Sequence, residues 1–458
     1  MRLGPGTWRV LSVYLLGVFL GALDTSVIGP AFPVIARAFS VTLRWNAWAV
    51  TIYTVGYVAC TVLAGALGDR VGHRRVFRLG LVGFACASLL AAVSGQIGFW
   101  AFLGARALQG LGAGAVYPNA QAEGVALFPA ERRGLALGVF GGVFGLAAVI
   151  GPNVGGALTQ FVGWPAIFLL NVPLALLAVG AARPVAGETE GRGEHRPAGI
   201  PDPAGAAAFA AALAALLLAL SAGGVVRWGG LAAGLAAAAV FLWRQRRAAV
   251  PFLETRPLRS RGGVALIVGA AIVGLDMSAA VFVPAMAQSR LHLGVFASGV
   301  ALMPAALSGA VLAGAAGVLV DRAGPRLPLQ IGLLAAVVAG ALLGRGTLGM
   351  GGFIVAMLFF GLGTAFTMGA PINRLALGLY RDAQAGLALS LIAVFRSVGL
   401  AAGPVILTAA EAHGGFPAMF RAVALASLLG AVVFSVVPNI RPLPRARAER
   451  GQPVHPPA

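Results

Sequence analysis

The 458-residue chain contains no lysine; all 33 of its basic residues are arginine. Charge of either sign is scarce at 10% of residues, and there are only 14 acids, five histidines and two cysteines. So little charge over such a length excludes an ordinary water-soluble domain, which needs a charged surface. Cys60 and Cys86 lie in separate apolar runs, which excludes a disulfide framework and leaves two small buried side chains. His73, His195, His292, His413 and His455 fall in loops or tails, and no two are spaced as a metal-ligand pair. With no nucleophile elbow and no phosphate-binding Gly-Lys-Ser/Thr run, the sequence supports neither enzyme chemistry nor ATP as a power source, and no cofactor or metal is expected.

What is abundant is apolar sequence, 59% of the chain. A formal charge of +19 would suggest nucleic acid if the arginines were clustered, but they fall in short bursts between apolar runs of roughly 20 residues, the length that crosses a bilayer. The runs cover residues 10–36, 46–67, 76–95, 99–127, 133–160 and 164–183, then 203–222 and 228–243, then 262–288, 294–319, 326–344, 349–373, 384–411 and 416–437. This predicts an all-α polytopic membrane protein with fourteen transmembrane helices: a six-helix half over 1–183, a segment 184–260 with a polar linker (184–202) and two extra, peripheral helices, a second six-helix half over 261–438, and a tail over 439–458. The N-terminal run is too long for a signal peptide, contains Asp24 and leads into further spans, so it reads as an uncleaved first helix. An even count puts both termini on one side. The side rich in arginine is cytoplasmic; the opposite side carries only Arg37, Arg44, Arg227, Arg290, Arg345 and Arg421.

The two halves are copies. Gly65-Ala-Leu-Gly-Asp69-Arg70-Val-Gly72-His-Arg74 returns as Gly317-Val-Leu-Val-Asp321-Arg322-Ala-Gly324-Pro-Arg326, each matching pair 252 positions apart. The same offset aligns Asp24 with Asp276, Gly134–Leu137 with Gly386–Leu389, and Gly151-Pro152 with Gly403-Pro404. A single gap-free shift through four separate features indicates a duplicated bundle of the parallel transporter type. In the turn itself Gly65 allows helices to approach, Gly72 lets the chain reverse, and Asp69 can meet an Arg or the positive end of the next helix. A plain basic loop that only sets topology is the alternative.

These motifs carry a resemblance. The Gly65–Arg75 turn resembles the loop signature of the major facilitator superfamily, and Arg106–Pro118 (RALQGLGAGAVYP) resembles its fourth-helix signature, in which the Arg is implicated in proton transfer. Gly151-Pro152-Asn-Val-Gly155-Gly156 resembles the signature of its exporting antiporters. Leu23–Ala36, Gly163–Pro173 and Val250–Arg261 resemble segments of the fourteen-span drug:proton antiporters, although Pro165 and Ala166 stand where that family usually has a basic and aromatic pairing. The resemblance implies a carrier that works as a monomer in the bacterial inner membrane and exports hydrophobic or cationic drugs and antibiotics in exchange for protons. An exporter of one endogenous metabolite, an uncoupled facilitator, and a membrane-embedded enzyme or sensor are the alternatives.

Four acids fall within or at the ends of spans: Asp24, Glu123, Asp276 and Glu411. Asp24 and Asp276 each lie about fifteen residues into their runs, some 22 Å along the axis at about 1.5 Å per residue. Burial disfavours a charged carboxylate and a neighbouring Arg favours it, so a balance of the two keeps proton exchange within reach. Arg106 and Arg396 lie at depths suited to pair with Asp24 and Asp276; a permanent ion pair holding helices in register explains the same residues. An intramembrane Arg costs roughly 2.5–3.5 kcal/mol on insertion scales and must find a partner or water. Gln109, Asn119, Glu123 and Gln288 are expected along the cavity, and Gly151 and Gly155 along a close helix contact that Pro152 bends.

Overall fold

A computed structural model describes residues 5–128, 133–182, 202–251, 260–368, 370–379 and 385–436, and among these every regular element is helical. In chain order the helices are α1 (Pro5–Ala38), α2 (Leu43–Asn46), α3 (Trp48–Val71), α4 (His73–Val93), α5 (Phe99–Ala126), α6 (Arg133–Phe161), α7 (Pro165–Leu169) and α8 (Asn171–Ala181). Two more, α9 (Pro203–Ser221) and α10 (Gly224–Arg247), lead to α11 (Arg261–Ser278), α12 (Val283–Arg290), α13 (Val295–Val300), α14 (Met303–Ala323) and α15 (Arg326–Leu343). The chain closes with α16 (Met350–Thr367), α17 (Ala370–Leu379) and α18 (Ala385–Val436), the last broken by non-helical Gly414 and Gly415. Ten stretches of the described residues are long and apolar enough to cross a bilayer. The expected linker, apart from Asp202, and the tail lie outside the described residues.

Large apolar side chains point outward along these helices, among them Trp100, Val225 and Val311, each more than 70% exposed. On a soluble protein so much exposed apolar surface would drive association; on helices of this length it faces lipid. With no hydrophobic effect to press helices together in lipid, close packing at small residues takes over. A side-chain Cβ at Gly112 would come 2.9 Å from the Gly80 carbonyl oxygen, and one at Gly363 3.2 Å from the Gly332 carbonyl oxygen, so only glycine lets these helices lie this close. These contacts occupy equivalent places in the two halves.

The duplication is visible in three dimensions where the repeated Gly151 and Gly403 meet matching serines, Ser26 and Ser278, that the repeat motif did not include. Gly151 of α6 rests on the Ser26 hydroxyl of α1, and Gly403 of α18 rests on the Ser278 hydroxyl of α11. Ser26 donates to the Leu23 carbonyl at 3.0 Å and Ser278 to the Leu275 carbonyl at 2.7 Å. All of these pairs obey the 252-residue offset. Gly72 and Gly324 also match, ending α3 and α14 with φ of +96° and +81°, a left-handed region in which a side chain is strained.

The helices between the halves are not equivalent to one another. α10 is mostly exposed and packs on α9, whose Ala206 is buried between Val58 of α3 and Val394 of α18, one helix from each half. Asp202 joins the pair at one end: it caps α9 through the Ala204 N–H and takes two bonds from Arg244, at 2.6 and 2.7 Å. The Arg244 hydrogen bonds hold the Asp202 carboxyl below the usual carboxylate range.

Candidate functional site: a buried carboxylate network and its stripped copy

Asp24 lies deep in the N-terminal half, 1% exposed, and five elements converge on it. Arg106 of α5 donates from Nη1 to Asp24 Oδ2 at 2.6 Å and to Gln109 Oε1 at 2.8 Å, and from Nε to the Ala49 carbonyl of α3 at 3.1 Å. Asn171 of α8 donates to Asp24 Oδ1 at 2.9 Å, and Gln109 Nε2 reaches Asp24 Oδ1 at 3.3 Å and Ser88 of α4 at 2.8 Å. The guanidinium carbon stands 4.5 Å from the Tyr53 ring centre and 5.6 Å from that of Phe168. An ion pair this dry persists only because nearly every donor and acceptor around it is matched. Separation of its members requires helices to move.

Asp276 holds the equivalent place in α11 with none of that company. The Ser427 hydroxyl lies 2.9 Å from Asp276 Oδ2, while Oδ1 has no hydrogen-bond partner among the described residues. Ser427 is also 2.9 Å from the Val423 carbonyl. With one hydroxyl proton for two acceptors, Ser427 either donates to Asp276 or accepts a proton from it.

The expected Asp276–Arg396 pair is absent, and the reason is geometric. The α18 backbone presses on α11 at Gly274, against the Arg396 carbonyl, so the Arg396 side chain leaves on the other side and lies within electrostatic reach of Tyr57 and Tyr117 in the N-terminal half. Among the described residues Arg396 makes no ion pair.

Three expected cavity residues are placed elsewhere. Gln109 is part of the Asp24 network, and Asn119 is wholly buried, donating to the Ala64 and Ala115 carbonyls and facing His73 Nδ1 at 2.8 Å. Gln288 donates to the Pro30 carbonyl at 3.0 Å and to Ser298 at 2.9 Å. A polar side chain near mid-helix satisfies its own helix or a neighbour as readily as it lines a cavity, and sequence spacing does not distinguish the two. Glu123 is half-buried and accepts from the Tyr14 hydroxyl at 3.3 Å. Asp69 faces His73 Nε2 at 3.2 Å instead of an Arg, Arg74 contacts the Tyr14 hydroxyl at 3.4 Å, and Arg70, Asp321 and Arg322 are exposed. Gly65 touches Pro118, and Gly155 lies on the Val27 carbonyl. Ser88, Asn171, Tyr53 and Ser427 were not singled out from sequence; Asn171 alone carried a signal, as an amide inside an apolar run.

The halves meet at one end. Thr51 donates to the Ala401 carbonyl at 2.9 Å, Gln288 to Pro30, and the Phe296 N–H to Gln160 at 2.9 Å. Phe32 packs edge-on against Phe282 with ring centres 5.3 Å apart, and Gly299 rests on the Pro152 carbonyl. Among the described residues, all three hydrogen bonds joining the halves lie at this end, opposite the Gly65–Arg75 turn.

The family model described as Major Facilitator Superfamily matches residues 14–404. The tetracenomycin C resistance and export protein of Streptomyces glaucescens is 32% identical over 79% of this chain and 68% of that protein. The puromycin resistance protein pur8 of Streptomyces alboniger is 32% identical over 88% of this chain and 81% of that protein. The riboflavin transporter RibZ of Clostridioides difficile is 28% identical over 86% of each. Duplicated helical halves, an acid at the same depth in both, and a family match spanning most of the sequence lead to one conclusion: this chain is a membrane transporter of the Major Facilitator Superfamily.

Proposed function

We propose that the protein exports hydrophobic compounds across the bacterial plasma membrane in exchange for protons, by rocking its two halves about a central cavity. The observation that carries this reading is the unequal pair of acids. Asp24 is held by a guanidinium and two amides, so it can take up a proton only after α5 and α8 shift; Asp276 has an oxygen free for one in the present geometry. A carrier that exchanges cargo for protons needs a carboxyl whose partners change as the halves rock, and the Asp24 network spans the helices that would have to do so.

Further support comes from the relatives named for tetracenomycin C export and puromycin resistance. The riboflavin relative favours a second reading, a carrier of one metabolite, which a compound panel separates from the first. Fourteen spans follow if α5, α6 and the α7–α8 pair join the ten apolar stretches and the 44-residue stretch Ile392–Ser435 counts as two, divided at Gly414 and Gly415. On the positive-inside rule both termini and the Gly65 turn are cytoplasmic, and the face at which the halves meet is the outer one. The boundaries 1–183, 184–260 and 261–438 go with this reading.

Asp24→Asn and Asp276→Asn test it in proteoliposomes. Each should abolish pH-gradient-driven efflux while the protein still inserts and elutes as a folded species. Unchanged transport in both variants would remove the proton role.

A further inference from the structure

The Asp24 network is complete for a carboxylate and incomplete for a carboxylic acid. Arg106 Nη1, Gln109 Nε2 and Asn171 Nδ2 all reach Asp24 through N–H groups, at 2.6, 3.3 and 2.9 Å. A protonated Asp24 has an O–H to place, and a donor cannot receive it; a guanidinium is a donor only. Gln109 is fixed as it stands. Its Oε1 accepts from Arg106 at 2.8 Å, and its Nε2 donates to Ser88, whose own proton goes to the Phe84 carbonyl at 2.8 Å. Turning that amide over would set a nitrogen against the guanidinium and an oxygen against an oxygen. Asn171 is under no such constraint. It is wholly buried, and among the described residues its Nδ2 bonds to Asp24 alone and its Oδ1 has no hydrogen-bond partner. Among the same residues Arg106 is the charged group that faces Asp24, and Tyr53 of α3 is the titratable one, its hydroxyl donating to the Gly21 carbonyl at 3.3 Å.

We propose that Asn171 is a positioning residue for the proton on Asp24: when Asp24 is protonated, the Asn171 amide turns over about its Cβ–Cγ bond, and Oδ1 accepts from the carboxyl O–H where Nδ2 had donated to the carboxylate. The proton stays on Asp24 until water on the open side takes it back, and the amide then returns. The two ends of an amide have nearly the same shape, and the turn breaks no hydrogen bond other than the one to Asp24. This role rests on the proton-exchange reading and deepens it, because it gives Asp24 a matched partner in both of its protonation states. The second half carries a comparable device. The 252-residue offset continues through Gly163, Pro165 and Phe168, which match Gly415, Pro417 and Phe420, and sets Asn171 against Val423. Ser427 lies one helical turn beyond Val423 and meets Asp276 through a hydroxyl that can donate or accept. In each half the last helix therefore brings its acid a group that works in both directions.

Infrared difference spectra of the full-length protein, acid minus neutral, read both partners at once when asparagine is isotope-labelled at its side-chain carbonyl carbon. A protonated-carboxyl band that is lost in Asp24→Asn should appear together with a label-sensitive asparagine amide band, and that amide band should be lost in Asp24→Asn as well. In Asn171→Leu the amide band should be lost and the Asp24 carboxyl band should move to higher frequency, the shift of an O–H left without an acceptor. A merely structural Asn171 would move neither band with pH. A carboxyl band without the amide band, or a carboxyl band unmoved in Asn171→Leu, overturns the role of Asn171 and leaves the proton-exchange reading in place. The wild-type and Asp24→Asn spectra decide it even if Asn171→Leu does not fold. Absence of any Asp24-dependent carboxyl band at every pH from about 5 to 9 removes both the role of Asn171 and that of Asp24 as a proton carrier.

Discussion

Arg106→Ala should abolish transport and destabilise the protein by about 3–5 kcal/mol, the range for removing one member of a buried ion pair. The loss is large because the side chain does several things at once. It neutralises Asp24, ties Gln109 into place, satisfies the Ala49 carbonyl and fills the space between Tyr53 and Phe168. Its removal leaves a carboxylate in a dry interior with only amide donors. Asp24→Asn in the same background removes that stranded charge, so the double variant should regain a substantial part of the stability but none of the coupled transport. Thermal unfolding in detergent measures the first effect and proteoliposome efflux the second. A double variant no more stable than Arg106→Ala would show that packing, not charge, dominates the site.

Gly299→Leu should hold the carrier away from the closed arrangement at the end where the halves meet. A Cβ on Gly299 would overlap the Pro152 carbonyl of the opposite half and come within 3.3 Å of Pro30. Overpacking of this kind costs about 1–3 kcal/mol, which as a population shift is roughly 5–150-fold. The helices themselves are not strained, so the protein should fold and insert. With Cys60 and Cys86 replaced by Ser, a cysteine at Thr51 reports the change, since Thr51 bonds to Ala401 across the same seam. It should be labelled by a membrane-impermeant maleimide much faster in Gly299→Leu than with Gly299 intact, and efflux should fall more than about tenfold. Equal labelling in both would mean that the seam does not open at Gly299.

The sequence read well where a physical constraint repeats. Apolar runs set by bilayer thickness located the helices, and the offset of 252 residues found the duplication that Ser26–Gly151 and Ser278–Gly403 display in space. The Asp24–Arg106 contact was accessible for a related reason: an acid and a base buried in lipid have few ways to be satisfied. The second acid misled because depth alone was used to choose its partner. The Gly-Leu-Gly run at Gly110–Gly112 recurs at Gly361–Gly363, and in that register Met357 and Phe360 occupy the places of Arg106 and Gln109. The duplicate has therefore lost the donors that hold Asp24. Which way Arg396 points depends on α18 lying backbone-first on α11 at Gly274, a packing choice that no linear pattern encodes. Asn119 and Gln288 were misplaced because a buried amide looks the same in sequence whether it meets carbonyls or water.

Proton counting on purified protein tests the central claim most directly. Addition of a transported compound to the carrier in weakly buffered detergent solution should release protons, and Asp24→Asn and Asp276→Asn should each reduce the amount released. Compound binding at full stoichiometry with no proton released at any pH between about 5 and 9, a range that spans ordinary carboxylate and histidine titration, would contradict proton exchange and leave an uncoupled carrier.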